Sequence, residues 1–126
     1  MSIKLVNLIR NAARALTIIW AGFWGFFALA HLFEPGPIRL DGLLIIIGFV
    51  IFFSVSALIP WKWEFIGGIL LVMEGIAEAI TYPFLKSEMS FTVIMQMFFM
   101  MGLPPLVAGI LFLVHNKLVR ITKKVE

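Results

Sequence analysis

The chain has 126 residues, 62% hydrophobic and only 13% charged, which places it outside the composition of soluble globular domains and leaves length for one membrane-embedded domain. It contains no cysteine, so disulfides, thiolate metal centres and cysteine nucleophiles are excluded. The formal charge is +3, but the cations are unevenly placed along the chain and report membrane orientation, not a nucleic-acid surface.

Four apolar stretches, at about residues 12–33, 40–59, 61–84 and 91–114, each approach the ~20 residues that carry a helix across ~30 Å of hydrocarbon. Ahead of the first, "IKLVNLIRNAARAL" repeats Ile3, Val6, Ile9 and Ala13 at helical spacing among Lys4, Arg10 and Arg14. This stretch reads either as an amphipathic helix lying on the inner leaflet or as an extension of helix one with snorkelling basic side chains. A basic start, an apolar run and "ALA" at 28–30 imitate a secretory signal. The run exceeds the ~7–15 residues of a signal core, however, and a permanent helix is expected.

"FEPGPIRLDG", residues 33–42, ends helix one before Pro35 and turns the chain. At "IPWKW", residues 59–63, Pro60 acts as a breaker with Trp61 and Trp63 as interfacial anchors, so helices two and three form a tight hairpin. "LKSEMS" returns the chain for helix four. Lys4, Arg10, Arg14, Lys62, Lys117, Arg120, Lys123 and Lys124 then fall on one side, and Arg39 and Lys86 on the other. By the bias of positive charge, both termini are cytoplasmic. The expected fold is all-α: a four-helix antiparallel transmembrane bundle in a multi-pass protein. Its partners are the lipid bilayer and either further copies of itself or another membrane protein, with no nucleic acid.

Within "LLVMEGIAEAITYP", residues 70–83, Glu74 and Glu78 interrupt a membrane-length run. At roughly 100° per residue, Glu64, Gly67, Leu71, Glu74, Gly75, Glu78 and Tyr82 share a stripe about 100° wide. The opposite face is apolar, and the glycines permit close approach of a neighbour. A charge at the bilayer centre costs on the order of 3 kcal/mol. Two carboxylates one turn apart therefore call for a retained proton or a cation held between them, or else they act as interhelical hydrogen-bonding groups. By depth, His31 and Glu34 at the outer end of helix one, with Tyr82 and Gln96, could converge on Glu78. Such a set suits an ion pathway or, if His31 meets the carboxylates, a metal of unspecified kind.

Helix four is interrupted by "GLPP". Pro104 and Pro105 lack N–H groups, so the carbonyls of Met100 and Met101 lose their helical partners at about the depth of Glu74. The break serves as a kink or as a source of coordinating carbonyls. Met95, Met97, Met100 and Met101 read as flexible packing and not as copper ligands. Ser54 and Ser56 are expected to bond within their helix or to a neighbour. His115 lies at the cytoplasmic border with no acid near it in sequence, and no nucleophile or phosphate-loop motif appears, so no enzyme activity is expected. No cofactor is specified by any motif.

The hairpin "WKWEFIGGILL", through Trp61, Trp63, Glu64, Gly67 and Gly68, resembles a group of small prokaryotic membrane proteins of unknown function. That resemblance implies a multi-pass protein of a prokaryotic plasma membrane and no activity. The residues themselves point to proton- or cation-coupled transport or ion binding at Glu74 and Glu78, with His31 and Glu34 as an outer vestibule. The alternatives are a non-transporting subunit or scaffold of a larger complex, and a lateral lipid or quinone pocket lined by Trp20, Trp24 and Phe27.

Overall fold

The computed structural model describes residues 2–85, 88 and 90–125, with only the backbone of residues 82, 83 and 85. Helix α1 is Ile3–Ala30, continued by a 3-10 turn His31–Phe33; α2 is Leu40–Lys62 and α3 is Glu64–Leu85. The fourth arm joins α4 (Phe91–Met97), a π-helical turn (Phe98–Gly102) and α5 (Leu103–Val125). The described residues are thus all-helical apart from their connections.

One boundary decides between the two readings of the sequence, and two differ from the sequence expectation. α1 starts at Ile3, so the basic N-terminal stretch extends helix one. The Ser2 hydroxyl accepts from the Leu5 N–H at 3.3 Å, and no glycine or proline interrupts the helix before Gly22. α2 continues through Pro60 to Lys62. Pro60 is buried against α3 at Gly67, which has no Cβ to meet it, and the reversal falls on Trp63 alone, whose N–H donates to the Ile59 carbonyl at 2.9 Å. α5 runs on to Val125 because nothing after Val114 breaks it, and its last turns are polar.

The arms form a ring in which α1 and α3 each touch α2 and α5. Neighbours run in opposite directions: Trp20 meets Phe53, Ser56 meets Glu74, and Glu64 meets His115. The core comprises Ala13, Trp20, Phe53, Leu71, Ala108 and Phe112.

The tightest seam is α3 on the fourth arm, where glycines seven residues apart on each side face each other in pairs. A Cβ on Gly109 would lie 2.6 Å from the Gly68 carbonyl oxygen, and one on Gly75 would lie 2.6 Å from that of Gly102. Only hydrogen fits there, so the two backbones approach directly.

Outside this core the surface is apolar. On α2, Leu44, Ile51 and Leu58 are 60%, 57% and 61% exposed, a pattern that lipid and not water accommodates. Ile3–Phe33, Leu40–Lys62 and Phe91–Val125 are long and apolar enough to cross a membrane. α3 carries three glutamates, Glu64, Glu74 and Glu78.

Candidate functional site

α3 carries the polar stripe, and its glycine seam fixes which way that stripe turns. With Gly68 and Gly75 against α5, Glu74 is rotated toward α2, where the Ser56 hydroxyl donates to its Oε1 at 2.7 Å. Ser56 is itself buried. The second oxygen of this carboxyl, Oε2, is shielded and has no hydrogen-bond partner, and the same holds for Oε2 of Glu78 one turn along. A shielded carboxylate oxygen without a donor costs on the order of 1–3 kcal/mol or more. Both orphaned oxygens are acceptors, so a proton or a cation would satisfy them and an anion would not.

At the break in the fourth arm, indole donors from α1 meet the carbonyls that the prolines leave. The Trp24 indole N–H donates to the Met100 carbonyl at 3.0 Å, and that of Trp20 donates to the Met101 carbonyl at 3.2 Å. Pro104 and Pro105 withdraw two donors from the helix, and α1 returns two from its indoles. The π-helical turn also resets the ladder, since the Leu103 N–H reaches the Phe98 carbonyl. The arm is stapled to α1 and is not a coordinating gap. Replacing Trp20 by Phe keeps a ring but removes the indole donor to the Met101 carbonyl, and is expected to cost about 1 kcal/mol in detergent unfolding. Trp24→Phe should cost less, because Trp24 is only half-buried.

The remaining predicted residues separate. His31 Nδ1 lies 3.0 Å from the Phe27 carbonyl and 3.9 Å from Glu34 Oε1, with side chains 45% and 67% exposed. His31 is seven residues beyond Trp24, or about 10 Å of helix rise, and α1 stands across the ring from α3. It therefore does not join the glutamate pair. Gln96 borders a separate recess with Phe91, Thr92 and Met95. The Tyr82 side chain lies outside the described residues, as does Lys86. Among the described residues no group of three or more His, Asp or Glu is arranged to hold a metal. Trp24 and Phe27 do border an apolar cleft of about 510 Å³, with Phe49, Met97 and His31 at its margin. Trp20 lies behind it, only 3% exposed.

One pair escapes a reading by sequence proximity. His115 Nδ1 is 2.6 Å from Glu64 Oε2, with side chains 6% and 17% exposed, although 51 positions separate them. The signal was in the spacing of the glycines: Gly68 and Gly75 against Gly109 and Gly102 set an antiparallel register, and extending it by one turn puts Glu64 opposite residues 113–115.

Over residues 2–126 the chain matches the model of a family described as a domain of unknown function, DUF7670. No curated protein and no solved structure matches it.

Proposed function

The chain belongs to the DUF7670 family, and for this member we propose a bundle that crosses the membrane four times, with both termini cytoplasmic, and binds a proton or a small cation at Glu74 and Glu78. Binding there serves coupled transport. The observation that carries this reading is the pair of shielded, unpartnered Oε2 atoms one turn apart, one of them on the carboxyl whose other oxygen Ser56 holds. Carboxyl and hydroxyl oxygens are the donor set of a hard cation. Orientation rests on the eight cations at the hinge and termini, against two in the other connections.

The test is thermal unfolding of detergent-purified protein across pH and a panel of Na⁺, K⁺, Li⁺ and Ca²⁺. A ligand that binds only the folded state stabilises it by about 2.7 kcal/mol at ~100 times its Kd. Wild type is expected to gain stability with one cation or on acidification, and Glu74→Gln and Glu78→Gln to lose that gain. Ser56→Ala should weaken it without abolishing it. If the glutamine variants are as stable as wild type and equally indifferent to ions, the ion-site reading is wrong, and the carboxyls belong to a contact within a larger assembly.

A further inference from the structure

The hinge Trp61–Phe65 has a second feature that an ion site does not use. Each of its three aromatic rings carries a cation: the Arg14 guanidinium lies 4.8 Å from the Trp61 ring centre, Lys62 Nζ 4.9 Å from Trp63, and the Arg120 guanidinium 5.7 Å from Phe65. Ring faces orient these cations but do not neutralise them.

Carboxylates do not neutralise them either. Glu64, the acid of the hinge, is taken by His115. Among the described residues the ion pair made by a lysine or arginine is Arg39 with Asp41, at the other end of the bundle. Arg10 and Arg14 are one turn apart on α1, and the Nε of each is shielded with no hydrogen-bond partner. Two like charges at this spacing repel, and a guanidinium is a planar donor suited to a phosphate.

A groove of about 460 Å³ lies in the apolar zone between α1 and α2, and its lining begins at Ile18 and Leu58, one helical turn beyond Arg14 and Trp61. It is walled by Ile18 and Leu58 and floored by Ala21, Gly22, Ser54 and Ala57. Ile18 and Ala21 follow Arg14 at helical spacings of four and seven. Leu58, Ala57 and Ser54 precede Trp61 by three, four and seven, so both helices present groove and hinge on a continuous face. A phosphate at the cationic end and a hydrocarbon chain along the small-residue floor match this surface in charge and polarity.

We propose that the α1–α2 groove, headed by Arg10 and by Arg14 on Trp61, is a binding site for one anionic phospholipid of the leaflet at the hinge. The phosphate accepts from the two guanidinium groups, and one acyl chain lies over Ala21, Gly22 and Ala57. This rests on the reading that the bundle spans the membrane with its hinge at one face, but not on the glutamate pair.

The experiment compares the melting temperature of detergent-purified protein with added phosphatidylglycerol, phosphatidylcholine or soluble glycerol phosphate. Phosphatidylglycerol is expected to raise it by about 5 °C, and the other two to leave it within a degree or so. Arg10→Gln/Arg14→Gln should lose the rise. Lys117→Gln/Lys123→Gln, equal in charge change but away from the groove, should keep it. Gly22→Leu fills the groove where a Cβ meets nothing within 4 Å; it should fold and yet bind the lipid at least several-fold more weakly. Equal shifts with phosphatidylcholine, or equal loss in the lysine variant, would overturn the proposal in favour of a diffuse surface effect. A shift with glycerol phosphate would overturn it in favour of a soluble phosphate ester. Glu74→Gln/Glu78→Gln is expected to keep the lipid response, so failure of either site is told apart from failure of the other.

Discussion

Substituting Gly109 by alanine is expected to destabilise the bundle by about 1–3 kcal/mol, the range for overpacking a close-packed contact. The new Cβ would lie 2.6 Å from the Gly68 carbonyl oxygen and 2.8 Å from the Val72 N–H nitrogen. Both are backbone atoms of a helix and cannot turn aside as a side-chain tip can, so α3 and α5 must separate. Gly75→Ala meets the Gly102 carbonyl oxygen at the same distance and should behave alike, while Gly68→Ala should cost less, because its closest neighbour is the movable Leu113 side chain. Gly48→Ala supplies the opposite sign. Nothing lies within 4 Å of its Cβ, and an alanine in a helix is favoured over glycine by about 1 kcal/mol. Unfolding in mixed detergent measures the series. Equal costs at Gly109 and Gly48 would mean that the α3–α5 seam does not hold the arms together. Because the same seam turns Glu74 toward Ser56, Gly109→Ala should also weaken any ion-dependent stabilisation.

The second large effect is expected at the His115–Glu64 pair. Removing one member with His115→Leu leaves Glu64 shielded and unpaired, and breaking such a buried pair costs about 3–5 kcal/mol. Glu64→Leu alone strands the imidazole and also removes an acid from the first turn of α3, where the helix dipole favours it. The double variant leaves no orphan, so it should cost less than the sum of the single losses by about 2 kcal/mol. A double-mutant cycle in detergent reads this coupling directly. Strict additivity would show that the two groups do not depend on each other. The pair ties the first turn of α3 to α5 immediately beside the one-residue reversal at Trp63, so its loss should be felt in the angle between the hairpin and the fourth arm.

Much of the architecture was legible because membrane-length apolar runs and proline–glycine turns are local signals. The helical runs, the hairpin at Trp63 and the inward polar stripe of α3 follow from composition and a 3.6-residue period. Boundaries were less legible at Ile3, Lys62 and Val125, where helix geometry continues past the apolar zone that marks a span. Pro60 misled for a different reason. A proline removes one N–H and crowds its own preceding turn, which α2 tolerates two residues from its end, and Gly67 supplies the room where the ring meets α3.

The candidate site divides in the same way. Chain chemistry alone determined that two carboxylates lie on one face of α3 and that two prolines strip donors from the fourth arm. Only the tertiary structure decided where those needs are met: Ser56 takes one oxygen of Glu74, Trp20 and Trp24 cap Met101 and Met100, and Glu64 pairs with His115. His31 and Glu34 stay apart because α1 stands across the ring from α3 and carries them past the level of Glu78. Helical periodicity gives the direction of a side chain about its own axis, but a partner 18, 51 or 81 positions away is fixed by the rotation and register between helices. Those are set by whether backbones can touch at Gly68 with Gly109 and Gly75 with Gly102, a steric fact that arises only when the helices meet.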